Sequence, residues 1–170
     1  MRLTLARATV AAPPLVFGVD AVPVERVRSL LPAYGDRFAR RLATPAEAAW
    51  ADGSAERLAV LFAVKESAVK CLAGRPPGFR WQAVELAVEP DSEPDTEPPA
   101  TSGAVAAMFE AFAARVELDG AADVACRLTG VALDRGRELL RAAAGVRGVA
   151  RYGTLGDTVL ALAAFWEDPA

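Results

Sequence analysis

An α+β fold is what this 170-residue sequence predicts, and three observations carry the prediction. Leu58, Leu61, Phe62, Val69 and Leu72 recur at helical spacing with Lys65 as the one polar interruption, so a long helix runs through the middle of the chain. Short β-type runs flank it: Leu15-Val16-Phe17-Gly18-Val19 before, and Val146 to Tyr152 and Thr158 to Trp166 after, the last two joined near Gly156-Asp157 by what reads as a hairpin turn. A chain of this length that is 53% hydrophobic suits one globular domain, residues 1–170, with a sizeable core.

In order, Leu3, Leu5, Thr9 and Val10 are read as an N-terminal strand, and Leu15 to Val19 as a second that ends at Asp20. On spacing alone Asp20 is better explained as a cap or turn residue than as a site. Val24, Val27, Leu30 and Leu31 predict a short amphipathic helix, and a second follows Asp36, with Phe38 and Leu42 on one side and Arg37, Arg40 and Arg41 largely on the other. Thr44-Pro45-Ala46-Glu47 reads as a capping box, with Pro45 at the first helical position and Glu47 reaching back to Thr44. Ser54 starts the central helix, and Gly74, Pro76 and Pro77 stop it. Glu66 and Lys70, four apart, share one helix face; a Glu-to-Lys pair in that order is by itself ordinary surface support.

Beyond Gly78, Trp81, Val84, Leu86 and Val88 predict a strand. Glu89 to Gly103 turns acidic and proline-rich, which suits a solvated loop and no core. Ala104 to Phe112 predicts a short helix, Arg115 to Leu118 a strand fragment, Val124 to Gly130 a strand and turn, and Val131 to about Ala144 a helix.

Composition excludes several chemistries. With no histidine, Ser-His and Cys-His catalysis and imidazole–zinc sites are out. Cys71 and Cys126 are too few for a disulfide framework or thiolate metal site. Every apolar run is broken by charge or proline short of a membrane span, Pro13 and Pro14 interrupt any leader-like segment, and the cytoplasm is the expected location. Residues 1–80 hold 12 Lys/Arg against 7 Asp/Glu, and residues 81–170 hold 7 against 15. A basic half and an acidic half suggest one face that attracts an acidic partner. That partner need not be nucleic acid, because no basic run is interleaved with aromatics. Arg26, Arg37, Arg40 and Arg41 are equally an ordinary solvated helix face or a dock for such a partner.

Three blocks carry a resemblance. Phe62-Ala-Val-Lys65-Glu66-Ser-Ala-Val-Lys70 resembles the F-A-x-K-E-x-x-x-K signature of phosphopantetheinyl transferases, above all the small holo-(acyl-carrier-protein) synthase type. Phe17-Gly18-Val19-Asp20 resembles their G-I/V-D block, with Arg26 six residues after the aspartate. Arg37 to Glu47 resembles the R-F-x-x-R-I/V-F/L-T-x-x-E block between them.

The resemblance implies an antiparallel sheet of about three to five strands packed against a long central helix and shorter helices. It implies transfer of the 4′-phosphopantetheine arm of coenzyme A to a serine of an apo acyl or peptidyl carrier protein, Mg²⁺-dependent, with release of adenosine 3′,5′-bisphosphate. Asp20 and Glu66 would hold the metal, Glu66 and Lys70 would be catalytic, and Lys65 and Lys70 would bind the cofactor. Arg26, Arg37, Arg40 and Arg41 would receive the carrier protein. The base that activates the serine is left between Glu66 and a water on the ion. Small members of the family are commonly trimers, so a homotrimer is the assembly implied.

Two departures stand beside the match. Residues 89–122 are an insertion relative to the small synthases. Arg151-Tyr152-Gly153-Thr154 stands where the family has S-x-S-H, and Leu61 where it has an arginine. A second reading follows: a degenerate relative that binds carrier proteins without modifying them.

Overall fold

The structure, a computed structural model, describes residues 14–88, 103–143 and 145–168. The N-terminal strand expected around Leu3 to Val10 and almost all of the acidic segment lie outside these residues. Five strands, β1 (Leu15–Pro23), β2 (Val84–Leu86), β3 (Asp119–Leu128), β4 (Gly145–Leu155) and β5 (Thr158–Asp168), form one antiparallel sheet in the order β1-β5-β4-β3-β2. The helices are α1 (Val24–Leu42), α2 (Pro45–Ala51), α3 (Ala55–Cys71), α4 (Gly103–Val116) and α5 (Gly130–Leu140). The α+β architecture expected from the sequence is observed.

α3 is the centre of the molecule. Ser54 caps it by accepting the Arg57 N–H, and its side chains are buried around most of its circumference. It lies against β1 and β5, where small residues admit it: a Cβ on Gly18 would sit 2.3 Å from the Ser67 carbonyl oxygen and 2.8 Å from Lys70 Cβ. Ser67 Oγ donates to the Ala161 carbonyl at 2.9 Å, and Ala161 and Ala163 of β5 are fully buried beneath the helix. The helix ends in a tight reversal. Ala73 takes a left-handed φ of 57°, the Gly74 N–H bonds back to the Val69 carbonyl and the Ala73 N–H to that of Lys70. That turn sends residues 75–82 back along α3.

Several expected boundaries move. The two helices expected over Val24–Leu42 are one helix with Pro32 inside it. Proline removes a single N–H there, while Val27, Leu31, Phe38 and Leu42 pack along one stripe into the core, and that burial outweighs the lost bond. The strand expected from Trp81 to Val88 is a 3-10 turn at Trp81–Ala83 followed by a three-residue β2, because the Trp81 and Val84 carbonyls both turn inward to the Lys65 ammonium. The helix expected at Ala104–Phe112 runs four residues further, and the strand fragment expected from Arg115 gives way to it: Arg115 and Val116 are helical, Glu117 ends the helix with a φ of 50°, and β3 begins at Asp119. α5 stops at Leu140, where Arg141 adopts a left-handed φ of 53°.

The second face of the sheet is covered by α4. Val105 and Phe109 pack onto Val149, Leu162, Ala164 and Trp166. Arg151 of β4 binds both oxygens of Asp123, at 2.7 and 3.0 Å, reaches Glu110 of α4 at 3.0 Å, and lies 5.4 Å over the Phe109 ring. β5 is therefore buried on both faces, which is why Val159 to Trp166 is continuously apolar instead of alternating. The hairpin expected at Gly156-Asp157 joins β4 to β5 through these two residues, with Gly156 at a φ of 61°. Among the described residues no helix is long and apolar enough to cross a membrane.

Candidate active site at the β1–α3 seam

Alternation along β1 turns Val16, Gly18, Asp20 and Val22 toward the α3 side, where Val16 and Val22 join the core. Because Gly18 lets the strand and helix approach so closely, the carboxylate two residues on meets the helix directly. Lys70 Nζ donates to Asp20 Oδ1 at 2.8 Å and to the Val19 carbonyl. Asp20 lies within β1, which continues to Pro23, and not at the strand end expected from the sequence.

Glu66 stands one turn before Lys70 on the same side of α3. Its Oε1 accepts from Arg75 Nη2 at 2.9 Å, and Arg75 in turn stacks 4.3 Å over the Trp81 ring. The two carboxylates are shielded alike, with side-chain exposures of 21% for Asp20 and 22% for Glu66, while their cations Lys70 and Arg75 are about half exposed. The seam thus presents two hard oxygen donors with a cation beside each, at an edge open to ligand.

A small hard cation such as Mg²⁺ fits this donor set, since it takes one or two carboxylates and fills its remaining positions with waters or phosphate oxygens. An ion needing a full protein cage does not: among the described residues no cluster of three or more His, Cys, Asp or Glu could enclose a metal. Cys71 and Cys126 are buried, and burial pushes both thiols up, Cys126 to about 12.

Lys65 is placed elsewhere. Its side chain is fully buried, and its ammonium donates to Glu47 Oε2 at 2.7 Å, the Val84 carbonyl at 2.7 Å and the Trp81 carbonyl at 3.2 Å. All three donors are used, so the expected cofactor contact by Lys65 is corrected to an internal tie. Burial holds this ammonium below its ordinary pKa, with Glu47 opposing the shift. Glu47 is equally buried. It closes the capping box with Thr44 as expected and, at Oε1, accepts the Leu86 N–H. The segment Arg37–Glu47 therefore ends in a residue that joins α2, α3 and β2.

Of the four α1 arginines, Arg37 and Arg41 flank a hollow of about 470 Å³ floored by Leu30, Tyr34 and Phe38. Arg26 extends the same helical stripe toward the N-terminus. Arg40 sits off it, 3.9 Å from Asp36. Sequence reasoning passed over Arg75, the partner of Glu66; Arg75-Pro-Pro-Gly78 was legible only as a loop leading into a strand, with nothing in its spacing to say that it folds back on α3.

Known proteins resemble this chain in sequence and in fold. A holo-[acyl-carrier-protein] synthase of Solibacter usitatus is 40% identical over 74 residues, 41% of this chain and 59% of that protein. One from Anaeromyxobacter dehalogenans is 44% identical over 81 residues, 44% of this chain and 61% of that protein. The chain thus spans about three-fifths of the length of these relatives. The fold is that of the Neisseria meningitidis holo-[acyl-carrier-protein] synthase, with a TM-score of 0.57 at 20% identity over 89% of this chain and 98% of that one. The Helicobacter pylori synthase, solved in complex with coenzyme A, gives 0.56 at 13% identity over 87% and 97%. Residues 16–125 match the 4′-phosphopantetheinyl transferase superfamily, and the chain belongs to it.

Proposed function

We propose that this protein transfers the 4′-phosphopantetheine arm of coenzyme A to a serine of an apo acyl or peptidyl carrier protein and releases adenosine 3′,5′-bisphosphate. The observation that carries this reading is the seam itself: Asp20 and Glu66 brought to one side of α3, with Lys70 bonded between strand and helix at 2.8 Å from Asp20. Relatives named holo-[acyl-carrier-protein] synthase and a structural neighbour holding coenzyme A support it.

Asp20 and Glu66 would hold Mg²⁺, which supplies charge neutralisation at phosphoryl oxygens when bound. The chain's own residues do the rest. Lys70 is half exposed and pre-aimed by β1, so it can turn from Asp20 to an incoming phosphate and later give a proton to the departing bisphosphate. Among the described residues only Oε1 of Glu66 is engaged, which leaves Oε2 to ligate or to accept the serine proton. Arg37, Arg41 and the apolar floor of Leu30, Tyr34 and Phe38 suit an acidic amphipathic helix, with Arg26 steering its approach. The free thiols suit a reducing compartment, so a cytoplasmic setting goes with this reading.

The test is incubation with coenzyme A, Mg²⁺ and a panel of apo-carrier proteins, read by intact mass. A gain of one phosphopantetheine arm that EDTA abolishes supports the transferase. No gain on any carrier, together with no binding of coenzyme A, overturns it in favour of a carrier-binding relative without activity. One observation favours that second reading: Arg151, in the segment that replaces S-x-S-H, is committed to Asp123 and Glu110 on the far face of the sheet.

A further inference from the structure

Arg75 closes a circuit of contacts that begins and ends on α3. Among the described residues it is the one partner of the Glu66 carboxylate, donating from Nη2 to Oε1 at 2.9 Å. Its guanidinium lies 4.3 Å over the Trp81 ring. Trp81 stands edge-to-face against Phe62 and against Phe79, with centroids 5.6 Å apart in each pair. Phe62 precedes Glu66 by about one helical turn, so the two share one side of α3. Helix, aromatic pair and guanidinium form a ring in which each member fixes the next.

The sequence around Arg75 keeps it in place. α3 ends in the reversal at Ala73 and Gly74, and Pro76 and Pro77 follow at once. Proline confines the residue before it to extended backbone, so the Arg75 side chain departs from a stiff segment. The Phe79 N–H returns to the Pro76 carbonyl at 3.0 Å, and the Trp81 carbonyl accepts from buried Lys65 at 3.2 Å. Gln82 Nε2 donates to the Arg40 carbonyl at 2.7 Å. The Trp81 ring is thereby a fixed shelf on which the guanidinium lies flat.

Asp20 has a short side chain on a strand paired along its length with β5. Glu66 has a longer one at the helix surface and depends on Arg75 for its orientation. On a cation bound at Glu66, Arg75 has two opposed effects. Its charge repels the ion, but the side chain is 52% exposed and solvent screens that repulsion. Its hydrogen bond and its stack fix the carboxylate and leave Oε2 unengaged among the described residues. A partner that orients a ligating side chain in this way is worth roughly ten- to a hundredfold in metal affinity. Orientation wins.

We propose that Arg75, held flat on Trp81, is the positioning residue for Glu66 and sets how tightly the β1–α3 seam takes a small divalent cation. This role rests on Asp20 and Glu66 being the ion's ligands, as proposed above, and not on which reaction the ion serves.

Mn²⁺ is the probe, because its free form is counted directly by electron paramagnetic resonance. It is titrated with coenzyme A present into the wild type, Arg75→Ala and Arg75→Lys, and Asp20→Asn gives the background uptake. Arg75→Ala should lose roughly ten- to a hundredfold in Mn²⁺ affinity at an unchanged melting temperature. Arg75→Lys keeps the charge without the planar fork and should recover only part of that loss. Affinity for coenzyme A in EDTA should be the same in all three proteins. In the transfer assay, the Mg²⁺ concentration giving half the maximal rate should rise by the same factor, with the KM for carrier protein unmoved. Wild-type or tighter Mn²⁺ binding in Arg75→Ala overturns the proposal and leaves Arg75 a solvated counter-charge. Wild-type binding in Arg75→Lys overturns it too, since charge alone would then suffice. So does a loss of coenzyme A affinity in EDTA, which would place Arg75 on the coenzyme, or a wild type that takes up no Mn²⁺. Weakened Mn²⁺ binding in Arg75→Ala, with no transfer by any of the proteins, upholds the positioning role and removes the transferase reading instead.

Discussion

Lys65 Nζ lies 2.7 Å from Glu47 Oε2, and neither side chain has any exposure to solvent. The pair sits where α2, α3 and β2 converge, with the Thr44 and Leu86 N–H groups on Glu47 and two carbonyls on Lys65. Lys65→Met should destabilise the protein by about 3–5 kcal/mol in urea unfolding, because it strands a buried carboxylate. The double variant Glu47→Gln with Lys65→Met should recover much of that loss. At temperatures where Lys65→Met is folded, its affinity for coenzyme A should match the wild type; a specific loss of affinity would return Lys65 to the binding site.

Gly18→Ala should be costly for its size. The added methyl meets the Ser67 carbonyl and Lys70 Cβ, both held by α3, so the strand and helix must part at a cost of about 1–3 kcal/mol. Parting them also lengthens the Lys70–Asp20 contact. The expected signature is a lowered Tm together with an activity loss larger than the unfolded fraction explains. Wild-type turnover in a destabilised variant would show that the close approach serves packing alone.

Asp20→Asn and Glu66→Gln should behave in the opposite way. Both ion pairs are partly exposed, so either change should move stability by less than about 1 kcal/mol. Transfer of the phosphopantetheine arm should fall at least about a hundredfold in each, and calorimetric Mg²⁺ binding in the presence of coenzyme A should vanish. Undiminished transfer in Glu66→Gln would remove it from the mechanism.

Reversing Arg37 and Arg41 to Glu should raise the KM for carrier protein about tenfold and flatten its salt dependence, with kcat nearly unchanged. The corresponding change at Arg40, which lies off the stripe beside Asp36, should have a much smaller effect. Equal effects at all three positions would mean a diffuse field instead of a dock.

The buried thiols give a pH dependence with a definite sign. Folding raises the Cys126 thiol from its ordinary 9.0 to about 12, and Cys71 moves the same way. The folded state keeps protons that the unfolded chain releases, so stability present below about pH 9 should be lost as pH rises toward 12. Lys65 opposes this, since its folded value lies below 10.5 and its contribution grows as pH rises to that value. The variant with both cysteines changed to alanine should therefore show a shallower alkaline fall in unfolding free energy than the wild type. Parallel curves would refute the assignment.

The parts of this molecule legible in the sequence were those written in local pattern. The capping box at Thr44–Glu47, the start of α3 at Ser54 and the Gly156-Asp157 hairpin follow from neighbouring residues, and the seam residues were named by motif. What was not legible depends on distant contacts. Pro32 signals a break that packing on α3 overrides, and Trp81–Ala83 coils because a lysine sixteen residues earlier takes its carbonyl. Lys65 was assigned to the cofactor by resemblance alone; its partner Glu47 reads as a cap, and nothing in spacing says that one carboxylate can serve both.

The pairing of β1 with β5 imposes a timetable on synthesis. β1 carries Asp20, yet its hydrogen-bonding partner is the last strand described, in register from Leu15 with Trp166 to Pro23 with Thr158. A ribosome therefore delivers both halves of the seam, strand and helix, long before the strand that holds them together. Until β5 emerges, β1 has no ladder among the described strands, and the Ser67 hydroxyl and Cys71 thiol lack the β5 carbonyls to which they donate. Folding must wait for long-range closure, the slow kind, and through that interval an apolar strand edge is open to any chain nearby.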